Sequence, residues 1–518
     1  MKNLLSNTAL TLILSGSMLL SSGCTSSFDD LNTNPDATTK VNSSMLATGI
    51  ILNMVKSSSY WKNEFLAKRM FWGEQMDDIQ YNRFGRSDFS GIQSLISAQK
   101  MMELSTDIYK DTYTGLFYFM KGWYFWRATM ETGDIPYSEA LDIDNFPYPK
   151  YDEQKDVFKG VLSDLALADE YFGKATGNFS GDPFYNGNPK KWRKATNVLR
   201  LKVLMSLQKR AEDTPELKVK ETFAQIVQAG NLFDSNDDNL QVTYASEPQT
   251  NQNPYHKDYT RSIEVYAATT MLVNPMKEYK DKRLFYYLAP ARALTEATYL
   301  PQGETLHQNN DYDAYVGVEV AGTFDEEKTK ISNLMYCRPN DVYRLSYVGV
   351  PSIRLGYADM NFLLAEAAER GWIQGSAKKY YNEGIKASFE FVRSTVPAQY
   401  NNGVEITNDD INTYLNGEKT AYNEAGTSID KLKQIWMQSY IAGYFHMSTD
   451  AYFDYRRTGY PAYPINPNTN LNTEGDKIPM RWLYPSSEND YNKEQMNIAL
   501  KRQWGGVDDV NNIMWILK

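Results

Sequence analysis

The residues able to do chemistry are few, and their spacing excludes most familiar sites. Histidine occurs only three times, at His256, His307 and His446. None lies in an H-E-x-x-H helix or pairs at metal-ligand spacing, which argues against a catalytic zinc centre. No G-x-S-x-G elbow, P-loop or G-x-G-x-x-G turn is present, so the chain offers no nucleophile elbow or phosphate cradle. Cys337 stands beside Arg338, which could lower a thiol pKa, but a buried inert thiol is the plainer reading. Asp234, Asn236 and Asp238 alternate like the start of a calcium loop. The sixth position is Asn239 instead of Gly and the twelfth is Ala245 instead of Glu, so a solvated loop is preferred and no metal or cofactor is expected. A glycosidase would need two carboxyls about 5 or 6.5–9.5 Å apart in a cleft, and no such pair can be placed from spacing. No catalytic residue is assigned.

What remains is aromatic and polar. Phe71 and Trp72 precede a loop holding Asp77, Asp78, Tyr81, Asn82, Arg83 and Phe84, and a later loop carries His307, Tyr312 and Tyr315. Flat rings to stack on, with carboxylates and a guanidinium to bond hydroxyls or backbone, suit a non-catalytic binding site for a sugar or peptide. Trp72, Asp77, Tyr81, Arg83, Tyr312 and Tyr315 are therefore the candidate ligand-binding residues. The competing reading makes Trp72 a core anchor and the others ordinary loop residues.

The elements that must position these loops are helical. The segment from Thr114 to Met130 is apolar on more than one stripe, with Leu116, Phe119, Trp123, Trp126 and Met130 beside Phe117, Met120 and Tyr124. Coverage that wide predicts a helix packed between neighbours. Gly115 and Gly122 lie nearly on one face, where close approach of another backbone would justify two helix glycines. Gly133 and Pro136 end the helix. Further helices are predicted from Ser44, over Tyr60–Met76, Gly91–Lys110, about 157–168, Lys191–Arg210, Tyr357–Arg370, Ser376–Arg393 and Ile429–Phe445. The Tyr357–Arg393 pair has the dimensions of one tetratricopeptide hairpin, whose period is about 34 residues. Between Gln225 and Ile353 periodicity is poor, which predicts long loops with small strands such as Val316–Val320. Loops of that length are usually functional. The fold class is thus mostly α, with tetratricopeptide-like helix pairs supporting a loop-rich irregular face and a few short strands.

The first residues belong to export. Lys2 precedes an apolar stretch from Leu10 to Leu20 that is too short to span a bilayer, and Ser21-Ser22-Gly23-Cys24 places small residues before a cysteine. Residues 1–23 read as a lipoprotein signal peptide, Cys24 as the lipidated residue, 24–43 as a tether and 44–518 as the binding domain. Residues 1–23 hold one Lys and no acid, so their removal takes the formal net charge from −10 to −11. An acidic exported chain is a poor partner for nucleic acid. With Cys24 committed, Cys337 alone cannot form an internal disulfide.

The ordered motifs resemble one family, the SusD/RagB-like nutrient-binding outer-membrane lipoproteins of Bacteroidetes-type bacteria. The resemblance rests on Asn32-Thr33-Asn34-Pro35 after Cys24, on the turn Gly133-Asp134-Ile135-Pro136-Tyr137-Ser138-Glu139-Ala140-Leu141, and on Lys191-Trp192-Arg193 running to Leu201. Asn361–Ala367 with Gly371-Trp372, Asp454–Pro461, and Ile478-Pro479 through Gly505-Gly506 follow in order. The resemblance implies four tetratricopeptide-like helix pairs and a SusC-like TonB-dependent outer-membrane transporter as partner. It also implies a lid that captures a nutrient, most simply an oligosaccharide, at the outer face of the membrane. A peptide or another nutrient in the same role, a surface glycoside hydrolase, and a pure scaffold are the alternatives.

Overall fold

Helices that lack a polar face must be covered on several sides, and the aromatic helix is. In the computed structural model, which describes residues 41–55, 62–260, 262–446 and 448–518, it spans Lys110–Thr132. It packs antiparallel-hairpin fashion on Gln154–Lys174, which in turn packs on Pro189–Ser206. The two helix glycines meet side chains and not a backbone: a Cβ at Gly122 would lie 2.5 Å from Leu165, and one at Gly115 would lie 3.0 Å from Phe172. Small residues here make room for large ones opposite, which is how interiors reach crystal-like density.

The turn that ends this helix is held by its polar groups. Gly133 has φ +98°, the conformation glycine tolerates best. Buried Asp134 accepts from the Gln154 backbone N–H at 2.8 Å and pairs with Arg502 at 2.5 Å. Asp152 accepts from the backbone N–H groups of Tyr137 and Ser138. Ile135–Pro136 pairs antiparallel with Tyr151–Asp152. This segment is scaffold.

The second hairpin, Tyr357–Glu369 with Ala377–Thr395, matches its predicted bounds within two residues at each end. Its first helix lies between two cores. Met360, Leu363, Leu364 and Ala367 join the cluster around the aromatic helix. Phe362 and Ala365 join a second cluster formed with Leu272, Phe285, Ile385 and Ile435. Pro189–Ser206 and Ser428–Ala442 pack on the same helix, so the pairs stack although far apart in sequence.

Buried charges lock that stack. Arg457 binds Glu366 with two hydrogen bonds, at 2.5 and 3.0 Å, and Asp454 at 2.9 Å. Trp436 Nε1 and Arg370 also donate to Glu366, each at 2.8 Å. Lys202 sits 2.7 Å from both Asp359 and Asp450.

The segment from Gly230 to Leu355 forms the irregular side. All the described sheets are two-stranded: Met70–Trp72 with Tyr266–Ala268, Ile135–Pro136 with Tyr151–Asp152, Leu240–Val242 with Ser352–Leu355, and Leu288–Ala289 with Arg338–Pro339. Val316–Val320 is not a strand, although Val318 bridges to Thr269. The helix expected over Tyr60–Met76 also fails. It ends at Leu66, Lys68 turns left-handed at φ +60°, and Met70–Trp72 becomes a strand. Gly91–Lys110 breaks into Ser90–Gln93, Leu95–Glu103 and a 3-10 turn at Asp107–Tyr109. Ser43–Lys518 forms one unit, whereas Cys24 and the tether to residue 40 lie outside the described residues. No described helix is long and apolar enough to cross a membrane.

Removing one member of a buried ion pair strands the other. Arg457→Met leaves the Glu366 carboxylate with Arg370 as its one remaining cation, so unfolding free energy should fall by about 3–5 kcal/mol. Urea or thermal melts measure this, and a loss under about 1 kcal/mol would contradict the role given to the pair.

Candidate functional site

The first predicted loop is anchored by the alternation of a three-residue strand. Phe71 points to a cluster with Tyr81, Val318 and Ile331, while Met70 and Trp72 point to the opposite side. Trp72 pairs with Tyr266 across the sheet, stacks on Phe65 at 6.5 Å and stays half-buried. Its backbone N–H donates to Gln80 Oε1 at 2.6 Å. Asp77 closes the following turn by accepting from the backbone N–H groups of Ile79 and Gln80. Tyr81 is buried, and its hydroxyl donates to the Gly322 carbonyl at 3.2 Å. Arg83 is exposed beside Asp78, 3.3 Å away. It lines a pocket of about 170 Å³ together with Asn82, Phe84, Asn472 and Asp509.

The second loop is organised differently. His307 Nδ1 lies 2.7 Å from Asp311, whose other oxygen accepts from the Asp313 backbone N–H. Tyr315 is fully buried against Phe285, with its hydroxyl on the Asn309 carbonyl. Tyr312 is half-buried, tilts against Phe285 at 4.7 Å and carries the Lys280 ammonium 4.9 Å from its ring centre.

Tyr312 lines a cleft of about 570 Å³ with Tyr279, Lys280, Lys282, Phe389 and Asp410. That volume falls in the range of about 300–1,000 Å³ usual for small-ligand sites. Below it lies a buried polar cage. Arg283 binds Asp281 at 2.6 Å, Ser388 at 2.9 Å and Gln438 at 2.9 Å, while the Tyr414 hydroxyl donates to Asp281 at 3.0 Å. Every arm of the cage is satisfied within the protein, so the floor is rigid. The six predicted residues are therefore not gathered in one cavity. Tyr312 opens on the cleft, Arg83 on the smaller pocket, and Trp72, Asp77, Tyr81 and Tyr315 hold the loops. Tyr279, Phe389 and Asp410 were missed in the sequence. The aromatic and charged run Tyr279-Lys280-Asp281-Lys282-Arg283 marks one wall only, and nothing local marks Phe389 or Asp410.

Two of the three cleft carboxylates are engaged by lysines, Asp410 with Lys282 and Glu278 with Lys419, each at 2.7 Å, and Glu418 is the third. Burial pushes the Asp410 carboxyl upward, but hydrogen bonds from Lys282 and Thr407 outweigh it and hold it below its usual range. Burial raises the Cys337 thiol to about 12, against any activation by Arg338. In the calcium-like loop, Lys194 sits 2.5 Å from Asp234 and 2.7 Å from Asp238, placing an ammonium between the carboxylates.

The model of a SusD-like family, described as starch-binding and associating with the outer membrane, matches residues 35–485. The chain belongs to the SusD-like family. It is 44% identical to a SusD homolog from Bacteroides fragilis NCTC 9343, over 92% of this chain and 100% of that one, with a TM-score of 0.87. A second SusD homolog from the same organism is 30% identical over the same shares, with a TM-score of 0.80. An outer-membrane protein from Bacteroides vulgatus ATCC 8482, titled as involved in nutrient binding, gives the same identity, coverage and TM-score. No curated protein matches the chain. The SusD-like proteins are binding proteins, which agrees with a site of rings and paired charges.

One buried lysine governs the first loop. Lys68 donates to the carbonyls of Gln80 at 2.8 Å and Ile79 at 3.3 Å. Burial lowers its pKa from 10.5 to about 7, with Asp77 acting in the opposite sense. The unfolded chain then holds more protons between about pH 7 and 10.4, so stability rises with pH across that window. From pH 7 to 9 the protein should gain about 2 kcal/mol relative to Lys68→Met. Urea titrations at the two pH values measure it, and parallel pH slopes in both proteins would refute it.

Proposed function

We propose that the protein is a non-enzymatic cell-surface lipoprotein that captures an oligosaccharide and delivers it to a SusC-like TonB-dependent transporter in the outer membrane. Membership of a starch-binding, outer-membrane-associated family supports the class of ligand and the compartment. The observation that carries the site is the cleft beside Tyr312: a half-buried ring with an ammonium over it, above a rigid, internally satisfied floor. Rings supply stacking faces, and Lys280, Thr413 and Glu418 at the cleft supply donors and acceptors for sugar hydroxyls. Arg83 at the smaller pocket forms a second ligand-facing element in this proposal, while Trp72, Asp77, Tyr81 and Tyr315 set the loop geometry. Lipid on Cys24 fixes the protein to the membrane, with the binding face toward the exterior.

Hydrolysis by a carboxylate pair would need a general acid with a raised pKa. Asp410 is shifted the other way and both Asp410 and Glu278 hold lysines, which favours binding without turnover.

Calorimetry with a panel of oligosaccharides tests the reading. A cognate glycan should bind without release of reducing ends, and Tyr312→Ala should weaken it about tenfold, or roughly 1.4 kcal/mol. Unchanged affinity in that variant removes the cleft, and product release restores the hydrolase. Cys24→Ala should move the protein from the membrane fraction to the soluble fraction. Retention of that variant in the membrane fraction would contradict lipid anchoring.

A further inference from the structure

Desolvating a charge beside a ligand that cannot pair with it is costly, so the charges that a cleft leaves uncompensated say what it can take. Around Tyr312 each carboxylate already has a cation. Asp410 holds Lys282 at 2.7 Å, buried Asp281 holds Arg283 at 2.6 Å, and Asp313 lies 3.5 Å from Lys277. Lys280 is the charge left over. It is exposed, has no carboxylate partner among the described ion pairs, and rests its ammonium 4.9 Å from the Tyr312 ring centre. Around Lys419 the balance is reversed. Glu278 lies 2.7 Å from that lysine and the Glu418 charge acts on it as well, two acids on one base.

Backbone geometry, not an ion pair, aims Lys280. It follows the helix Thr270–Glu278 and is left-handed at φ +52°, which is uncommon for a residue with a side chain. Its N–H donates to the Lys277 carbonyl at 3.1 Å, and the Asp281 N–H donates to the Met276 carbonyl at 2.9 Å, closing the helix end. Asp281 belongs to the buried Arg283 cage, so the lysine stem starts one residue from a rigid anchor. The Tyr312 ring beneath the ammonium is fixed in turn by Phe285 at 4.7 Å.

That arrangement selects among the cleft lysines. An anion arriving at Lys282 or Lys419 must first release Asp410 or Glu278. One arriving at Lys280 displaces no carboxylate, because a ring face is the partner there. An ammonium is a point charge, so a sugar carboxylate and a sugar sulfate meet the same need. The formal net charge of −10 opposes a polyanion. The fit is therefore one anionic unit in an otherwise neutral oligosaccharide, with Glu418 left to accept from hydroxyls.

We propose that Lys280 is a specificity-determining residue of the cleft and selects oligosaccharides that carry a single anionic sugar unit, a uronate or a sulfated sugar. This rests on the oligosaccharide reading of the cleft and names the class of oligosaccharide. The test is calorimetry of the full lipid-free chain with a panel of neutral, singly uronate-bearing and singly sulfated oligosaccharides. The tightest binder should be anionic, and whether it is a uronate or a sulfate identifies the group. Its neutral counterpart, the methyl ester or the desulfated form, should bind about tenfold more weakly in about 50 mM NaCl, and the gap should shrink in about 500 mM NaCl. Lys280→Met should bring the anionic-to-neutral affinity ratio within twofold of one, and Lys280→Arg should keep it. If the tightest binder is neutral and Tyr312→Ala weakens it, the cleft stands and the proposal is overturned. If the ratio survives in Lys280→Met, the selecting charge lies elsewhere and the proposal is overturned. If no member of the panel binds the wild-type protein, the oligosaccharide reading fails and the proposal with it.

Discussion

A carboxylate removed from water must be bonded on every side or it destabilises the fold by several kcal/mol, and Glu366 sets that condition for the whole molecule. Burial pushes its pKa up, yet Arg457, Arg370 and Trp436 overcome this and hold it at about 2, so it stays ionised. Each partner comes from a different position on the stack: Arg370 ends the same helix, Trp436 belongs to Ser428–Ala442, and Arg457 to Ser448–Thr458. A few residues away Lys202 holds Asp359 and Asp450, with Arg127 3.4 Å from Asp450. The two groups together join Lys110–Thr132, Pro189–Ser206, Tyr357–Glu369, Ser428–Ala442 and Ser448–Thr458. Apolar packing alone tolerates small rotations of one helix against another, whereas these bonds do not. Two small, partly open pockets of about 40 and 20 Å³ border the same residues, each roomy enough for a water.

The loop-rich side repeats this device because its strands cannot stand alone. Isolated two-stranded ribbons are marginal in water. The one carrying Trp72 is backed by Arg69 and Glu64, fully buried and 2.8 Å apart, with Arg69 donating to the Tyr440 carbonyl and Glu64 accepting from the Phe445 N–H. The cleft is backed by Arg283 and Asp281, also fully buried. Charged pairs therefore tie irregular segments to the Ser428–Ala442 helix and the residues just after it. Loops gain fixed geometry without regular hydrogen-bond ladders, which leaves their outward side chains open to variation.

This division explains what could be read in the sequence. The aromatic helix and the Tyr357–Thr395 hairpin carry their own signals, since apolar coverage and glycine stops are local. Thr407 with Asp410 and Thr427 with Asp430 form capping boxes that mark helix starts equally locally. The stretch from Tyr60 to Met76 reads as a helix because two short apolar runs, Phe65-Leu66-Ala67 and Met70-Phe71-Trp72, flank Lys68-Arg69. Its strand partner, Tyr266–Ala268, lies about two hundred residues away, and short apolar runs do not distinguish helix from strand. Tyr81 and Tyr315 look like binding residues by type, but tertiary packing buries them. The cleft draws on residues 278–282, 312, 389 and 410–420, a grouping that no local pattern announces.

The motifs that identify the family turn out to be the ones that carry the buried charges. Asn361–Ala367 contains Glu366, Asp454–Pro461 contains Asp454 and Arg457, and the Gly133–Leu141 turn contains Asp134. Substituting any of these leaves an opposite charge or a backbone group unsatisfied, so they are constrained by folding whatever the ligand. Tyr312 is under no such constraint: its half-buried ring packs on Phe285 and the Lys280 ammonium, and replacing it leaves no buried charge behind. Likeness across the whole chain is therefore likeness of the frame. Ligand specificity has to be read from the rings and rim charges that the frame holds up.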